Sequence, residues 1–196
     1  MHWYKMVLGR YDLAAFTSFF AYAAGSVVLP VALVPLAKDL GFSLNEGGMT
    51  AGGALHLGRT LPMVVTMLLC GFAAGRWGKR RTMGASVALM GVGVLLCAWA
   101  PVYGVLFLAL MIAGMGEGVI EGLATPFVQA LHPKEPGRYI NFTHGFWSIG
   151  VVVTVLATGG LISLGVPWRI LVTAAAALAF VAATMMLLPN HHGPPY

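Results

Sequence analysis

Six long apolar stretches, joined by short hydrophilic connectors, occupy this 196-residue chain almost from end to end. Hydrophobic residues make up 59% of it and charged residues 9%, where a soluble domain carries about 25% charged residues. Mean hydropathy is +0.85. A chain this poor in charge cannot coat itself for water, so its solvent is lipid. Crossing the hydrocarbon layer takes roughly 20 residues of helix at about 1.5 Å rise each, and a helix satisfies its backbone hydrogen bonds within the segment. The apolar runs place spans at about 13–37, 47–75, 82–98, 102–131, 139–164 and 170–188, with short ends at 1–12 and 189–196. The run between Arg81 and Glu117 holds no charge and is too long for one helix. It must break near Trp99-Ala100-Pro101, because proline disfavours helix at the preceding residue and cannot donate an interior hydrogen bond. The expectation is an all-α integral membrane protein of six transmembrane helices, with no stretch left over for a soluble domain.

The net charge of +5 and pI near 9.5 invite a nucleic-acid reading, but the placement of the charge excludes it. Lys5 and Arg10 precede the first span. Arg76, Lys79, Arg80 and Arg81 lie between the second and third, and Lys134 and Arg138 between the fourth and fifth. The opposite connectors hold only Lys38 and Arg169 among basic residues. That alternation is the positive-inside pattern, and it predicts both termini in the cytoplasm. The basic excess reports topology, and the partner it implies is the bilayer.

Cys70 and Cys97 both fall inside spans, with no CxxC pairing and no His/Cys cluster, so they read as inert buried thiols. Lys5 and Arg10 followed by Ala21-Tyr22-Ala23 imitate a signal peptide, but the apolar run continues through Val27 to Leu33, and the segment is expected to stay uncleaved. Asn141-Phe142-Thr143 fits a glycosylation sequon at the cytoplasmic end of a span, where it stays bare. His191 and His192 read as a solvated tail. Gly114, Gly118 and Gly122 repeat every four residues, as do the pairs Gly48/Gly52 and Gly71/Gly75. Small residues at that spacing let helix backbones touch in lipid. Pro30, Pro35, Pro62 and Pro126 interrupt the spans, which neighbouring helices tolerate by satisfying the freed carbonyls.

Ionisable groups at membrane depth are the strongest functional signal, since each costs roughly 2.5–3.5 kcal/mol at a helix centre on insertion scales. On the fourth span Glu117 and Glu121 stand one turn apart on one face. On the second, His56 and Arg59 are three apart, as are Asn141 and His144 on the fifth. Two readings of the glutamates stay open. In one, Arg59 forms a buried pair with a glutamate and pins the second and fourth spans together. In the other, at least one glutamate lines an aqueous cavity and exchanges a proton during a cycle. A second use of Arg59, ranked below pairing with a glutamate, is to present its guanidinium fork to an anionic solute. His56 and His144 are candidate proton relays. Asp12 reads as an N-terminal cap of the first helix.

The segment Gly71-Phe72-Ala73-Ala74-Gly75-Arg76-Trp77-Gly78-Lys79-Arg80-Arg81 resembles the loop signature of the major facilitator superfamily, Gly-x-x-x-Asp-Arg-x-Gly-Arg/Lys-Arg/Lys. Gly71, Arg76, Gly78, Lys79 and Arg80 match, and Gly75 stands where the family prefers Asp, whose carboxylate helps hold the cytoplasmic gate closed. The stretches Glu121-Gly122-Leu123-Ala124-Thr125-Pro126-Phe127-Val128, Asn141 to Gly150, and Trp168-Arg169 are similar to the fucose permease-type branch of sugar–proton symporters. That resemblance implies that Glu121 takes part in proton coupling and in the solute cavity; it gives Glu117 no counterpart, and Glu117, Arg59, His56, Asn141 and His144 stand as candidates for the same cavity on their intramembrane placement. The first-span aspartate of the sugar symporters is absent, since nothing acidic lies between Asp12 and Asp39.

The superfamily's usual twelve spans form two six-span halves around a cavity, so this chain corresponds to the N-terminal half and implies a second half, its own copy or another chain. The resemblance implies a secondary transporter of a small solute, a sugar or an organic anion, coupled to protons and needing no cofactor. The alternative is a non-transporting half that stabilises or regulates a partner. An enzyme is disfavoured, because no nucleophile with a base and no metal triad is present. The topology is testable by accessibility. With Cys70 and Cys97 replaced by alanine, Lys38→Cys is expected to react with an impermeant maleimide from outside intact cells. Arg81→Cys is expected to react only after permeabilisation, and the reverse pattern would overturn the orientation.

Overall fold

A computed structural model describes residues 6–44 and 48–189 of the chain. Lys5, the His191–His192 tail and the start of the second span at 47 lie outside the described residues. Among the described residues seven helices follow one another: α1 Arg10–Val31, α2 Leu33–Leu40, α3 Gly48–Trp77, α4 Lys79–Ala98, α5 Tyr103–Leu131, α6 Pro136–Ser163 and α7 Trp168–Leu187. The described residues form no strand. All but the short α2 are long and apolar enough to cross a membrane.

Local chemistry accounts for the breaks. Pro30 and Pro35 have no N–H to donate, and the first apolar run divides at Ala32 into α1 and α2. Gly78 sits at φ +81° between α3 and α4, a backbone conformation that side chains with a Cβ rarely adopt. The chain can therefore reverse within a single residue. Pro136 occupies the first turn of α6, where a missing N–H costs nothing. Basic side chains cap helix ends. Arg80 donates from Nη1 to the carbonyls of Met186 (3.0 Å) and Leu187 (2.7 Å) at the end of α7. Arg169 donates from Nη1 to those of Ala98 (2.7 Å) and Ala100 (3.2 Å) at the end of α4, and it pairs with Asp39 at 3.1 Å. Cations there also complement the negative end of the helix dipole.

The packing has a hidden symmetry. α1 lies against α6 and α7 as α5 lies against α3 and α4, and α4 meets α7. Exchanging the first three spans (α1, α3, α4) with the next three (α5, α6, α7) leaves that pattern unchanged. Successive spans alternate in direction, so the first and fourth run oppositely and the relation is an inverted-topology repeat. α1 and α4 are the best-covered spans, whereas α3 and α6 leave most of their length uncovered. Leu61, Val65, Leu68 and Phe72 on α3 are exposed, as are Ile149, Val152, Val153 and Leu156 on α6.

Hydrophobic burial does not press helices together in lipid, so close backbone contact must hold them. α5 supplies it on two sides. A Cβ at Gly114 would collide with the Arg59 carbonyl, and one at Gly118 with the Met63 carbonyl, both on α3. A Cβ at Gly122 would lie 2.6 Å from Cys70 Sγ, also on α3. Gly116 faces Met90 and Ser86 of α4 in the same way. The four-residue period thus marks the α3–α5 seam. Gly71 and Gly75 differ, because a Cβ at either meets nothing within 4 Å among the described residues. Their spacing is not used for packing within this bundle. Gly114→Val and Gly118→Val are expected to lower the thermal unfolding midpoint in detergent by the equivalent of about 1–3 kcal/mol or more, with Gly104→Ala and Gly159→Ala, in open positions, unchanged as controls.

Candidate functional site

The centre of the bundle is built around one ion pair. Arg59 of α3 donates from Nε to Glu117 Oε2 at 2.7 Å and from Nη2 to Oε1 at 2.5 Å. This is the two-pronged geometry that a guanidinium and a carboxylate share. Glu117 is 1% exposed and Arg59 11%. The third arm, Nη1, donates to the Ser26 carbonyl of α1 at 2.7 Å. That carbonyl is available because the residue four further on is Pro30, which has no N–H to return. Three helices are tied at one guanidinium, and Gly114 and Gly118, one on each side of Glu117, let the backbone of α3 come near enough for the tie to form. Cys97 of α4 lies within electrostatic reach of the same pair.

One turn along α5 the environment changes. Glu121 is exposed, and among the described residues no basic group pairs with it within 4.0 Å. The hydroxyl of Tyr22 on α1 faces the Glu121 carboxyl and also lies near Glu117 and Arg59. Across from α5, α6 contributes His144, whose Nε2 is 3.5 Å from Thr125 Oγ1 and whose ring meets Phe19 edge-on at 4.8 Å. Trp147 sits 6.4 Å from Tyr22, ring centre to ring centre. Asn141 is exposed on α6 one turn before His144. The structure therefore gathers Glu121, Thr125, His144 and Trp147 on one open face formed by α5 and α6, with the buried Tyr22 of α1 behind it.

His56 belongs elsewhere. It lines a cavity of about 190 Å³ with Leu29, Pro30, Leu33, Leu55 and Leu106, at whose edge Arg59 also appears. No hydrogen bond or ring contact joins His56 to His144. The six residues singled out in the sequence thus divide into a locked pair (Arg59, Glu117), an open face (Glu121, His144, Asn141) and an apolar cavity (His56) that Arg59 also lines.

The loop between α3 and α4 is tied to the site helix. Lys79 Nζ donates to the Pro126 carbonyl of α5 at 3.2 Å, and Arg80 lies over the ring of Tyr11 at 5.6 Å. Arg76 is exposed. Around the same end of the bundle is a contact that sequence spacing gave no hint of. Asp12 accepts from the Gly9 N–H at 2.8 Å, as a capping residue should. Its other oxygen meets His132 Nε2 at 2.6 Å, and the His132 ring stacks on Tyr139. The Tyr139 hydroxyl in turn accepts from the Val7 N–H at 3.2 Å. The start of α1, the end of α5 and the start of α6 are clasped together there.

Residues 14–196 match the Major Facilitator Superfamily over nearly the whole sequence, and the chain belongs to that family of membrane transporters. It is similar to the probable anion transporter 3, chloroplastic, of Arabidopsis thaliana, 28% identical over 81% of this chain and 31% of the relative. It is also similar to the puromycin resistance protein of Streptomyces alboniger, 29% identical over 72% of this chain and 27% of the relative. A third relative is the synaptic vesicle 2-related protein of Rattus norvegicus, 29% identical over 64% of this chain and 23% of that protein. The chain spans about a quarter to a third of the length of these curated relatives.

The ion pair makes a sharp prediction. Arg59→Met or Glu117→Met alone leaves a charge without its partner and is expected to cost roughly 3–5 kcal/mol of stability in detergent. The double substitution is expected to recover most of that loss. Additive losses in the double variant would mean the two side chains are not coupled.

Proposed function

We propose that this six-span unit is one half of a secondary transporter that moves a small solute by alternating access, coupled to protons through Glu121. The observation that carries the reading is the contrast between two glutamates one turn apart. Glu117 is committed to Arg59 and is nearly sealed from solvent. Glu121 stands open with no basic partner. A carboxylate at membrane depth without a fixed counter-charge is costly unless water or a proton reaches it, and such groups mark proton and solute pathways. The likeness of the fourth and fifth spans to fucose permease-type symporters supports the same residue. His144 and Asn141 would line the same path, while His56 would border the separate cavity.

The rocking of two halves about a midplane site needs a second half. The uncovered apolar faces of α3 and α6 offer it a seat. The loop bearing Gly71, Gly75, Arg76, Gly78, Lys79 and Arg80 would serve as the gate, since Lys79 grips α5 below Glu121 and Gly78 supplies the sharp turn. The basic end, with both termini, would face the cytoplasm of a plasma or inner membrane. The relatives' names span anions and a drug. On this half, a solute anion at Arg59 would have to compete with Glu117 and the Ser26 carbonyl for the guanidinium.

The test is transport by the complete transporter in proteoliposomes under an imposed pH gradient. Glu121→Gln is expected to abolish the response of flux to the gradient, while His56→Gln keeps it. A Glu121→Gln protein whose flux still follows the proton gradient would sink the coupling assignment.

A further inference from the structure

We propose that the face bearing Glu121 binds a monovalent organic cation with aromatic or lipophilic substituents. This inference rests on the reading of that face as the solute cavity, and it names the solute class. The first argument is charge. Three charged side chains lie on neighbouring turns of α3 and α5 at membrane depth: Arg59, Glu117 and Glu121. The guanidinium is used up, with Nε and Nη2 on Glu117 and Nη1 on the Ser26 carbonyl. The pair is neutral as a unit, which leaves Glu121 as the acidic side chain of the open face. No Lys or Arg among the described residues pairs with it. In a surround of low dielectric such a charge favours a mobile counter-ion over a neutral or anionic solute.

The second argument is the wall around it. Tyr22, whose hydroxyl faces Glu121, is 6.4 Å from Trp147. Phe19 carries His144 edge-on at 4.8 Å. Further along the contact between α1 and α6, the buried Phe16 stacks on Phe146 at 4.7 Å and meets Phe142 edge-on at 5.2 Å, which holds those two α6 rings in place. Trp147 and Phe142 are 36% and 44% exposed, so part of each ring is open to a ligand. Aromatic faces attract cations through the ring quadrupole, most strongly when the cation is desolvated, and they repel anions for the same reason. A carboxylate with part-exposed aromatic rings on the same face provides both terms that recognise a bulky cation: one point of opposite charge and π-surface for its apolar groups.

A matched pair of probes tests this, because tetraphenylphosphonium and tetraphenylborate have nearly the same shape and opposite charge. Binding to the full 196-residue chain in nanodiscs is measured by equilibrium dialysis, with empty nanodiscs subtracting partition into lipid. Tetraphenylphosphonium is expected to bind saturably and at least about tenfold more tightly than tetraphenylborate. Glu121→Gln is expected to weaken it about tenfold or more, and Trp147→Ala several-fold, with Trp147→Phe retaining most of the affinity. Each variant's thermal midpoint is read alongside, and Trp147→Phe guards against a result due to misfolding. Equal binding of the two probes, no saturable binding of the cation, or an unaltered affinity in a folded Glu121→Gln protein would each overturn the proposal. The two readings fail separately. If Glu121→Gln removes the pH response of transport while both probes bind alike, the cation assignment falls and proton coupling stands. Cation selectivity that vanishes in Glu121→Gln, together with a pH response that survives it, would uphold the solute class and remove the coupling role.

Discussion

The bidentate pair between Arg59 and Glu117 fixes where everything else in this half can be. A guanidinium at membrane depth stays charged, so α3 could not sit in the bundle without an acceptor. Glu117 supplies two oxygens and the Ser26 carbonyl a third. That one group brings α1, α3 and α5 to a common point, and it does so with no hydrophobic drive available between helices in lipid. Pairing the first glutamate within the core also leaves the second as the acidic side chain of the open face.

The pair depends in turn on residues that carry no charge at all. Gly114 and Gly118 remove the side chains that would hold α3 away from α5. Pro30 removes an N–H, leaving the Ser26 carbonyl free for Arg59. A missing Cβ and a missing donor therefore do as much to assemble the site as the ionic groups. The inverted repeat sets the limits of the unit. α3 and α6 occupy equivalent places in the two triplets of spans, and both leave apolar surface uncovered. The wall that carries Glu121 thus lies beside the two least covered helices of the bundle.

Much of this is legible in the sequence because lipid imposes simple rules. Length and apolarity mark the helices, and Pro and Gly mark their ends. The cost of burying charge singles out Glu117, Glu121 and Arg59 without any structure. The four-residue glycine period pointed to a seam, and α5 uses it that way. At Gly71 and Gly75 the same period packs against nothing in this bundle, because spacing shows that a helix has a smooth stripe and not what lies opposite. Asp12 was legible as a cap, since capping is local. Its second partner, His132, is 120 positions away, and no periodicity connects residues across that distance.

The sequence by itself determined the solvent, the helices and the short list of polar residues that had to be explained, because each follows from a property of one segment. Only the tertiary structure decided which glutamate Arg59 takes. Glu117 and Glu121 are one turn apart on the same face, so a linear pattern treats them alike. The rotation and height of α3 against α5, set by glycine contacts and the Ser26 carbonyl, place the fork on Glu117. Tertiary packing likewise put Tyr22, His144 and Trp147 beside Glu121 and left His56 in another cavity. Those neighbours come from three different helices, and their meeting is a fact of packing that no single stretch of residues encodes.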